Sequence, residues 1–342
     1  MQTEPMMPDH AIKLGAGRSA LLWGLFFLIC FGLGYPTLNR YDARKLGPDW
    51  QGYYNNVAGR DDPGDFPFNA RVLVPSVARP FYLVARGRCG SWDPVWFGLL
   101  VANSLFAASA AYLLLRIGLR VLGDLPLALL ACTLYLLNFV VGQLWLTGMV
   151  DSAEACLLLA VAWALFADRW WLLPILGAVG GLAKQSFLPF ATTFAAAWWL
   201  VAERPAKRYV RLVLVGALAA TSTASLVLAQ SAMAGHTAAP WTLASEWNSR
   251  SNYVLNLVHC FTDQQFWYAF VWLLPLGVWR LNRLPRPWVA ASLVTGAVAL
   301  VLGGYADLHG TVNRPFFTAV GPVLTLSAAL LLAERKSKET SA

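Results

Sequence analysis

Apolar residues in this chain fall into long runs separated by short polar stretches, without the strict alternation of a half-buried strand. A helical run of about 20 apolar residues covers the roughly 30 Å hydrocarbon core of a bilayer. A membrane β-barrel would instead show alternating segments of about ten residues. The pattern therefore predicts an all-α, polytopic integral membrane protein with about ten transmembrane helices. The predicted spans are 19–38, 94–115, 125–145, 149–167, 170–183, 187–201, 210–233, 265–279, 287–304 and 315–333.

The apolar stretch 170–201 is interrupted by the polar triplet Lys184-Gln185-Ser186. One interpretation is a single span with a buried lysine, and the other is two short or tilted spans that meet at Lys184. Because the whole stretch exceeds 30 residues, it is too long for one span. The sequence therefore favours the pair of short spans.

Composition agrees with a membrane location, since 58% of the 342 residues are hydrophobic and only 13% are charged. Soluble domains usually contain about 25% charged residues. Most of the 26 basic residues behind the net charge of +8 fall in terminal tails and short connections. The positive-inside rule then predicts cytoplasmic N- and C-termini, in what we expect to be a bacterial inner membrane. No basic soluble domain is left to bind nucleic acid, which excludes that partner.

The chain is predicted to form a single membrane-embedded domain, 1–342, with two polar extracytoplasmic loops at 39–93 and 234–263. The first loop is rich in Lys, Arg and Asp, on the side that the orientation rule disfavours. Residues 49–58, between Pro48 and Gly59, predict a short surface helix. Further along, 66–86 mixes arginines with apolar residues, which predicts interfacial helices broken by Pro75 and Pro80.

Two acids and two arginines of the first loop are candidates for chemistry. Asp49 is either an N-terminal helix cap or a general base at the membrane surface, and Asp42 is the second candidate base. Arg71 and Arg79 either reach towards lipid headgroups or supply donors for a phosphate group presented at the bilayer surface.

Acids elsewhere in the chain offer further candidates. Asp151 and Glu154 are one helical turn apart and share a face, so they either pair with Lys184 or form the wall of a site. His309 is either an ordinary loop residue or part of a site lining. No His/Cys/Asp group has convincing metal-ligand spacing, so no metal site is predicted. A divalent cation that bridges Asp49 and a phosphate stays open as an alternative.

Four motifs with polar or charged residues follow one another along the chain. In the first loop, Asp49-Trp-Gln-Gly-Tyr53-Tyr54 is followed by Pro-Phe-Asn-Ala-Arg71-Val-Leu-Val-Pro75. The three later motifs are Met149-Val-Asp151-Ser-Ala-Glu154-Ala, Gly180-Gly-Leu-Ala-Lys184-Gln-Ser-Phe-Leu-Pro189 and His309-Gly-Thr-Val-Asn-Arg314-Pro-Phe. Their order and spacing resemble the GT-C family of bacterial polytopic glycosyltransferases, although this chain has Lys184-Gln185 where an arginine is more usual.

This resemblance implies an enzyme that transfers a sugar from a polyprenyl-phosphate-linked donor to an acceptor of unknown identity outside the cytoplasm. The partners it implies are that donor and the membrane lipids, and it requires no cofactor. A loop carboxylate would act as general base, and the transfer is expected to be inverting. The lipid phosphate would be bound by Arg71, Arg79, Lys184 and Arg314. The expected site wall consists of Tyr53, Tyr54, Asp151, Glu154 and His309.

Two other functions remain open at the level of sequence. A transporter or flippase for a lipid-linked or anionic substrate would use Asp151, Glu154 and Lys184 to line a path. Transporters, however, usually show internal repeats and charges near the bilayer midplane. A non-catalytic membrane assembly protein would not need the clustered Arg and Asp residues of the first loop.

Overall fold

A computed structural model describes residues 14–39, 49–60, 70–88, 90, 92–202, 207–234, 253–305 and 312–340. Within these ranges all regular structure is helical, and no strand is present. The predicted all-α fold class is therefore confirmed. The α-helices are α1 (Ala16–Asn39), α2 (Asp49–Ala58), α3 (Leu73–Ala85), α4 (Pro94–Leu122), α5 (Leu125–Leu136), α6 (Asp151–Phe166), α7 (Leu173–Ala183), α8 (Phe187–Val201), α9 (Arg208–Ala234), α10 (Tyr253–Thr262), α11 (Gln264–Phe270), α12 (Leu273–Val278), α13 (Arg286–Tyr305) and α14 (Asn313–Thr340).

Five of the described helices are long and apolar enough to cross a membrane, namely α1, α4, α9, α13 and α14. A sixth span results if the bent pair Leu125–Leu136 and Val140–Thr147, which meet at 43°, counts as one. These helices indicate an integral membrane protein. The predicted number of about ten spans is not confirmed, because several apolar runs form helices shorter than a bilayer requires.

Three of the shorter helices explain much of that difference. α6 has 16 residues, α7 has 11 and α8 has 15. The predicted break between α7 and α8 is confirmed, since α7 ends at Ala183 and Lys184 has extended backbone angles. The predicted span 265–279 is instead two short helices, α11 and α12.

Two other predicted spans differ from the helices in the structure. The second span does not stop at Arg116, because α4 continues through Arg120 to Gly123, whose φ of 65° ends the helix. The third span is not one straight helix, since a π-helical segment, Val140–Leu144, and a 3-10 turn, Trp145–Thr147, follow α5.

The helices of the first loop agree with prediction at one point and differ at another. α2 occupies the predicted 49–58, and Gly59 follows it with a φ of 70°. The expected breaks at Pro75 and Pro80 are absent, because α3 is continuous from Leu73 to Ala85. Pro75 lies in the first turn, where backbone N–H groups have no partner within the helix. Only Pro80 removes an interior hydrogen bond.

The core of the molecule is formed by α4, α6 and α14, whose side chains are mostly buried. α4 packs against α1, α3, α5 and α6, while α14 packs against α5, α12 and α13. At the periphery, α1 and α9 expose large apolar side chains such as Leu21, Leu28 and Val213. This arrangement is suited to a lipid environment, and it brings the starts of α6 and α14 together in the interior.

Candidate functional site

Charged side chains from four separate parts of the chain meet in one cluster. Lys184 Nζ lies 2.5 Å from Asp151 Oδ1 and 3.5 Å from Glu154 Oε2. Arg314 Nη1 lies 3.1 Å from Asp151 Oδ2, on the other side of the same carboxylate. Asp151 and Glu154 are almost fully buried, at 1% and 0% exposure. Asp151 thus orients two cations at once, which a carboxylate in such a position can do through both oxygens.

Arg71 and Asp49 connect the first loop to the cluster. Arg71 Nη1 lies 3.7 Å from Asp49 Oδ2 and donates a hydrogen bond to the Tyr53 hydroxyl oxygen. Its Nε donates to Gln185 Oε1 at 2.7 Å, which connects the loop to the residue beside Lys184. The side chain of Asp49 is 23% exposed. A carboxylate at the outer edge of a buried ionic cluster is accessible to a substrate.

Helix ends stabilise several of these charges. Asp151 and Glu154 lie in the first turn of α6, where the helix dipole favours negative charge. Lys184 follows the last residue of α7, and at this end of a helix the dipole favours positive charge. Arg314 is in the first turn of α14, at a positive helix end, so its contact with Asp151 is needed to offset the dipole.

The turn before α6 depends on a glycine. Gly148 has a φ of 92°, and a Cβ there would collide with the indole ring of Trp96. The same Trp96 ring packs against Trp50 at 5.7 Å and Tyr54 at 5.5 Å between ring centroids. Trp96 therefore holds α2 of the loop beside the start of α6, which places Asp49 close to the buried acids.

Tyr53 is the aromatic residue of α2 that faces the cluster, one turn after Asp49. It is 1% exposed. Burial raises the pKa of the Tyr53 phenol well above its ordinary value, so the hydroxyl stays neutral and its oxygen accepts the hydrogen bond from Arg71.

Two further members of the cluster were missed at the sequence level. Gln185 accepts from Arg71, and Ser186 Oγ donates to Glu154 Oε1 at 2.5 Å. Both belong to the polar triplet that interrupts the apolar run, so the signal was present. A neutral polar residue at a helix break has an ordinary structural explanation, so the charged Lys184 is the member that the sequence indicates.

Some predicted site residues lie elsewhere. Tyr54 points away from the cluster, and its hydroxyl donates to Asp93 Oδ2 at 2.8 Å. Arg79 is exposed and lies against the turn at Gly59 rather than beside Arg71. Asp42 and His309 lie outside the described residues.

A cavity of about 470 Å³ opens on the side of α2 that carries Tyr54. Burial and the hydrogen bond to Asp93 raise the pKa of Tyr54 to about 12, so this phenol remains a donor at ordinary pH. The lining residues are Tyr54, Ala58, Arg60, Tyr82, Arg86, Trp92, Asp93, Pro94 and Val95.

Across the described part of the chain, no three His, Cys, Asp or Glu side chains are grouped so that they could hold a metal ion. The cluster consists of three cations, Arg71, Lys184 and Arg314, beside three carboxylates. Such a cluster can bind an anionic group through its cations and accept a proton on its exposed acid.

No protein-family model, curated protein or solved structure matches this chain.

Proposed function

We propose that the protein is a membrane glycosyltransferase of the GT-C type that uses a polyprenyl-phosphate-linked sugar. The observation that carries this proposal is the convergence of Asp49, Arg71, Lys184 and Arg314. These residues come from the first loop, the α7–α8 break and the start of α14, yet they belong to one connected set of contacts. The sequence motifs that resemble the family contain all four residues.

The proposed reaction is a single displacement at the anomeric carbon of the donor. The acceptor oxygen attacks this carbon, and the bond to the phosphate oxygen breaks with its electron pair remaining on the phosphate. Asp49 takes the proton of the acceptor hydroxyl, and nearby cations stabilise the departing phosphate. One displacement inverts the anomeric configuration and needs no nucleophile from the protein.

The cations divide between phosphate binding and support. Lys184 is enclosed between Asp151 and Glu154, so we assign it to positioning the two acids and, through Asp151, Arg314. Arg314 uses only Nη1 on Asp151, and within the described residues its other two nitrogens make no hydrogen bond. Arg314 and Arg71 are therefore the residues we expect to contact the phosphate.

The ten-span topology with extracytoplasmic loops at 39–93 and 234–263 belongs to the same proposal.

The loop residues and the lack of an internal repeat favour transfer over transport. Asp49 and Arg71 belong to a loop and not to a span. Many transporters are built from two internal repeats with broken helices in corresponding positions. Lys184 lies at the break between α7 and α8, but the sequence shows no internal repeat.

The test is sugar transfer in membranes that contain the full chain, using radiolabelled polyprenyl-phosphate sugars as donors. Asp49→Asn is expected to lower the transfer rate at least about a hundredfold, because the base is removed while the shape of the side chain is kept. Asp124→Asn is the matched control. Asp124 caps α5 through the backbone N–H of Leu127, and asparagine caps a helix equally well.

The control variant is expected to transfer sugar at the wild-type rate. Transfer that is unchanged in Asp49→Asn would remove Asp49 as the base. If wild-type membranes transfer no more sugar than membranes without the protein, across a panel of such donors, the proposed activity is wrong. Movement of the intact donor across the bilayer in that case would support the transporter instead.

A further inference from the structure

The cavity beside Tyr54 is separate from the charged cluster and has its own chemistry. Tyr54 and Ala58 lie one turn apart on α2 and line this cavity, whereas Asp49 and Tyr53 face Arg71. Because residues four apart share a helix face, α2 presents two neighbouring faces to two different sites. The other walls come from α3, from the segment that follows it and from the start of α4.

Two of the arginines that line the cavity each follow the C-terminal end of a helix. Arg60 follows the left-handed Gly59, and its backbone N–H bonds to the Asn55 carbonyl at 2.9 Å, as in a Schellman motif. Arg86 ends α3 and precedes Gly87, which has a φ of 76°. Both arginines therefore lie at the carbonyl ends of helices, where cations are stabilised.

Among the described residues that line the cavity, positive charge is in excess. The one acid among them, Asp93, accepts from Tyr54 at Oδ2 and from the Val95 backbone N–H at Oδ1, so both oxygens are used. Within the described residues, neither Arg60 nor Arg86 forms an ion pair. Two arginines that line a concave surface, with no carboxylate partner in the described part of the chain, favour an anionic ligand.

Aromatic residues indicate where this cavity lies relative to the membrane. Trp92, in its wall, stacks on Tyr35 near the end of α1, with 4.7 Å between ring centroids. α1 ends at Asn39, and α4 begins at Pro94, beside the cavity. Trp and Tyr are enriched at the ends of membrane spans, at the level of the lipid headgroups. We therefore expect the cavity to lie at headgroup depth.

From these observations we infer that Arg60 and Arg86 bind the phosphate of an anionic membrane phospholipid, with Tyr54, Tyr82 and Trp92 enclosing the rest of the headgroup. A volume of about 470 Å³ is in the range of small-ligand sites and exceeds the needs of a bare phosphate. The lipid would connect the ends of α2 and α3 to the start of α4. This inference does not depend on the glycosyl transfer proposed above.

The test compares the purified full chain in nanodiscs of phosphatidylcholine with nanodiscs that also contain phosphatidylglycerol. Ligand binding to the folded state raises the Tm, and we expect a rise of about 2–4 °C for the wild type. The double variant Arg60→Gln, Arg86→Gln is expected to lose most of this rise. Arg88→Gln removes the same charge from an exposed position outside the cavity and should keep the rise.

Because Arg60 and Arg86 are exposed, the double variant is expected to fold, which its helical circular dichroism in phosphatidylcholine would verify. The double variant Arg60→Lys, Arg86→Lys keeps the charge and should retain part of the rise in Tm. Adding inorganic phosphate to phosphatidylcholine nanodiscs should have no such effect. An equal rise in the wild type and the Gln double variant would overturn the inference, and so would a response to inorganic phosphate alone.

Discussion

At the residue scale, Asp151 is the centre of the charged cluster. It contacts Lys184 through one oxygen and Arg314 through the other, at an almost fully buried position. Burying these charges is favourable only while they remain paired, since an uncompensated buried charge is strongly destabilising. The three residues should therefore behave as one energetic unit.

A double-mutant cycle on Asp151 and Lys184 tests this coupling. Asp151→Asn leaves two cations without their shared partner and should lower the free energy of unfolding by about 3–5 kcal/mol. Lys184→Gln should lower the free energy of unfolding by less in the Asp151→Asn variant than in the wild type. The expected coupling energy is about 0.5–3 kcal/mol. Equilibrium unfolding in mixed micelles, followed by tryptophan fluorescence, measures both quantities.

The control cycle pairs Asp151→Asn with Arg88→Gln, an exposed arginine that makes no contact with Asp151. Distant substitutions usually add within about 0.3–0.5 kcal/mol. A coupling that is no larger for Lys184 than for Arg88 would show that the ionic cluster has no collective role in stability.

The sequence predicted these residues better than their roles. The turn spacing of Asp151 and Glu154 indicated a shared face, and the interruption at Lys184 indicated a helix break. The pairing interpretation of the acids is confirmed, since both contact Lys184. Their role as the wall of a site stays a prediction. What the sequence could not supply was the orientation of α2, which depends on packing of Trp50 and Tyr54 against Trp96.

At the element scale, the short helix α7 depends on close backbone packing against α9. Gly177 and Gly181 are four residues apart on α7 and face α9. A Cβ at Gly177 would collide with the Leu218 carbonyl and the Thr221 hydroxyl, and a Cβ at Gly181 would collide with Ser225 Oγ. Small residues at this spacing let helices approach closely within membranes.

Replacing these glycines should separate α7 from α9. Gly181→Val is expected to lower the Tm of the purified protein by several degrees, because neither backbone can give way without loss of packing. Gly216→Val, on α9, meets no atom within 4 Å and is the matched control. The packing would be judged incidental if both variants had the same Tm.

Helix existence was predictable from the apolar runs, and helix continuity was not. The bend after α5 requires Asn138, whose side chain donates to the Ala269 carbonyl at 2.9 Å and accepts from the Val140 backbone N–H. Such a side chain competes with the helical hydrogen bonds of its own segment. The partner at Ala269 is 131 residues away in the chain, which no local pattern reveals.

At the scale of the whole molecule, the orientation in the membrane is a separate prediction. The positive-inside distribution places residue 207 in the cytoplasm and residue 60 outside it. Arg60→Cys and Lys207→Cys, each made with Cys89→Ser, should react with a membrane-impermeant maleimide from opposite sides of sealed vesicles. Cys30, Cys132, Cys156 and Cys260 are buried and should stay unlabelled. Labelling of both positions from one side would contradict the topology.

At this scale, the cavity could not be predicted from the sequence. Arg60, Arg86 and Trp92 belong to the loop that the sequence singled out, but their juxtaposition depends on how α2 and α3 fold onto α4. The same folding turned Tyr54 away from the cluster, contrary to the role predicted for it. The sequence singled out the loop, and only the tertiary arrangement separates the cavity from the charged cluster.

The central claim is that the charged cluster receives a lipid-linked phosphate, and binding of a polyprenyl phosphate without a sugar tests it without knowledge of donor or acceptor. With purified full chain in detergent, Arg314→Gln should weaken this binding about tenfold, since a charge-assisted hydrogen bond is lost. Arg88→Gln should bind like the wild type. Asp49→Asn, which removes a nearby negative charge, should bind at least as tightly. Wild-type affinity in Arg314→Gln, or an equal loss in Arg88→Gln, would contradict the claim.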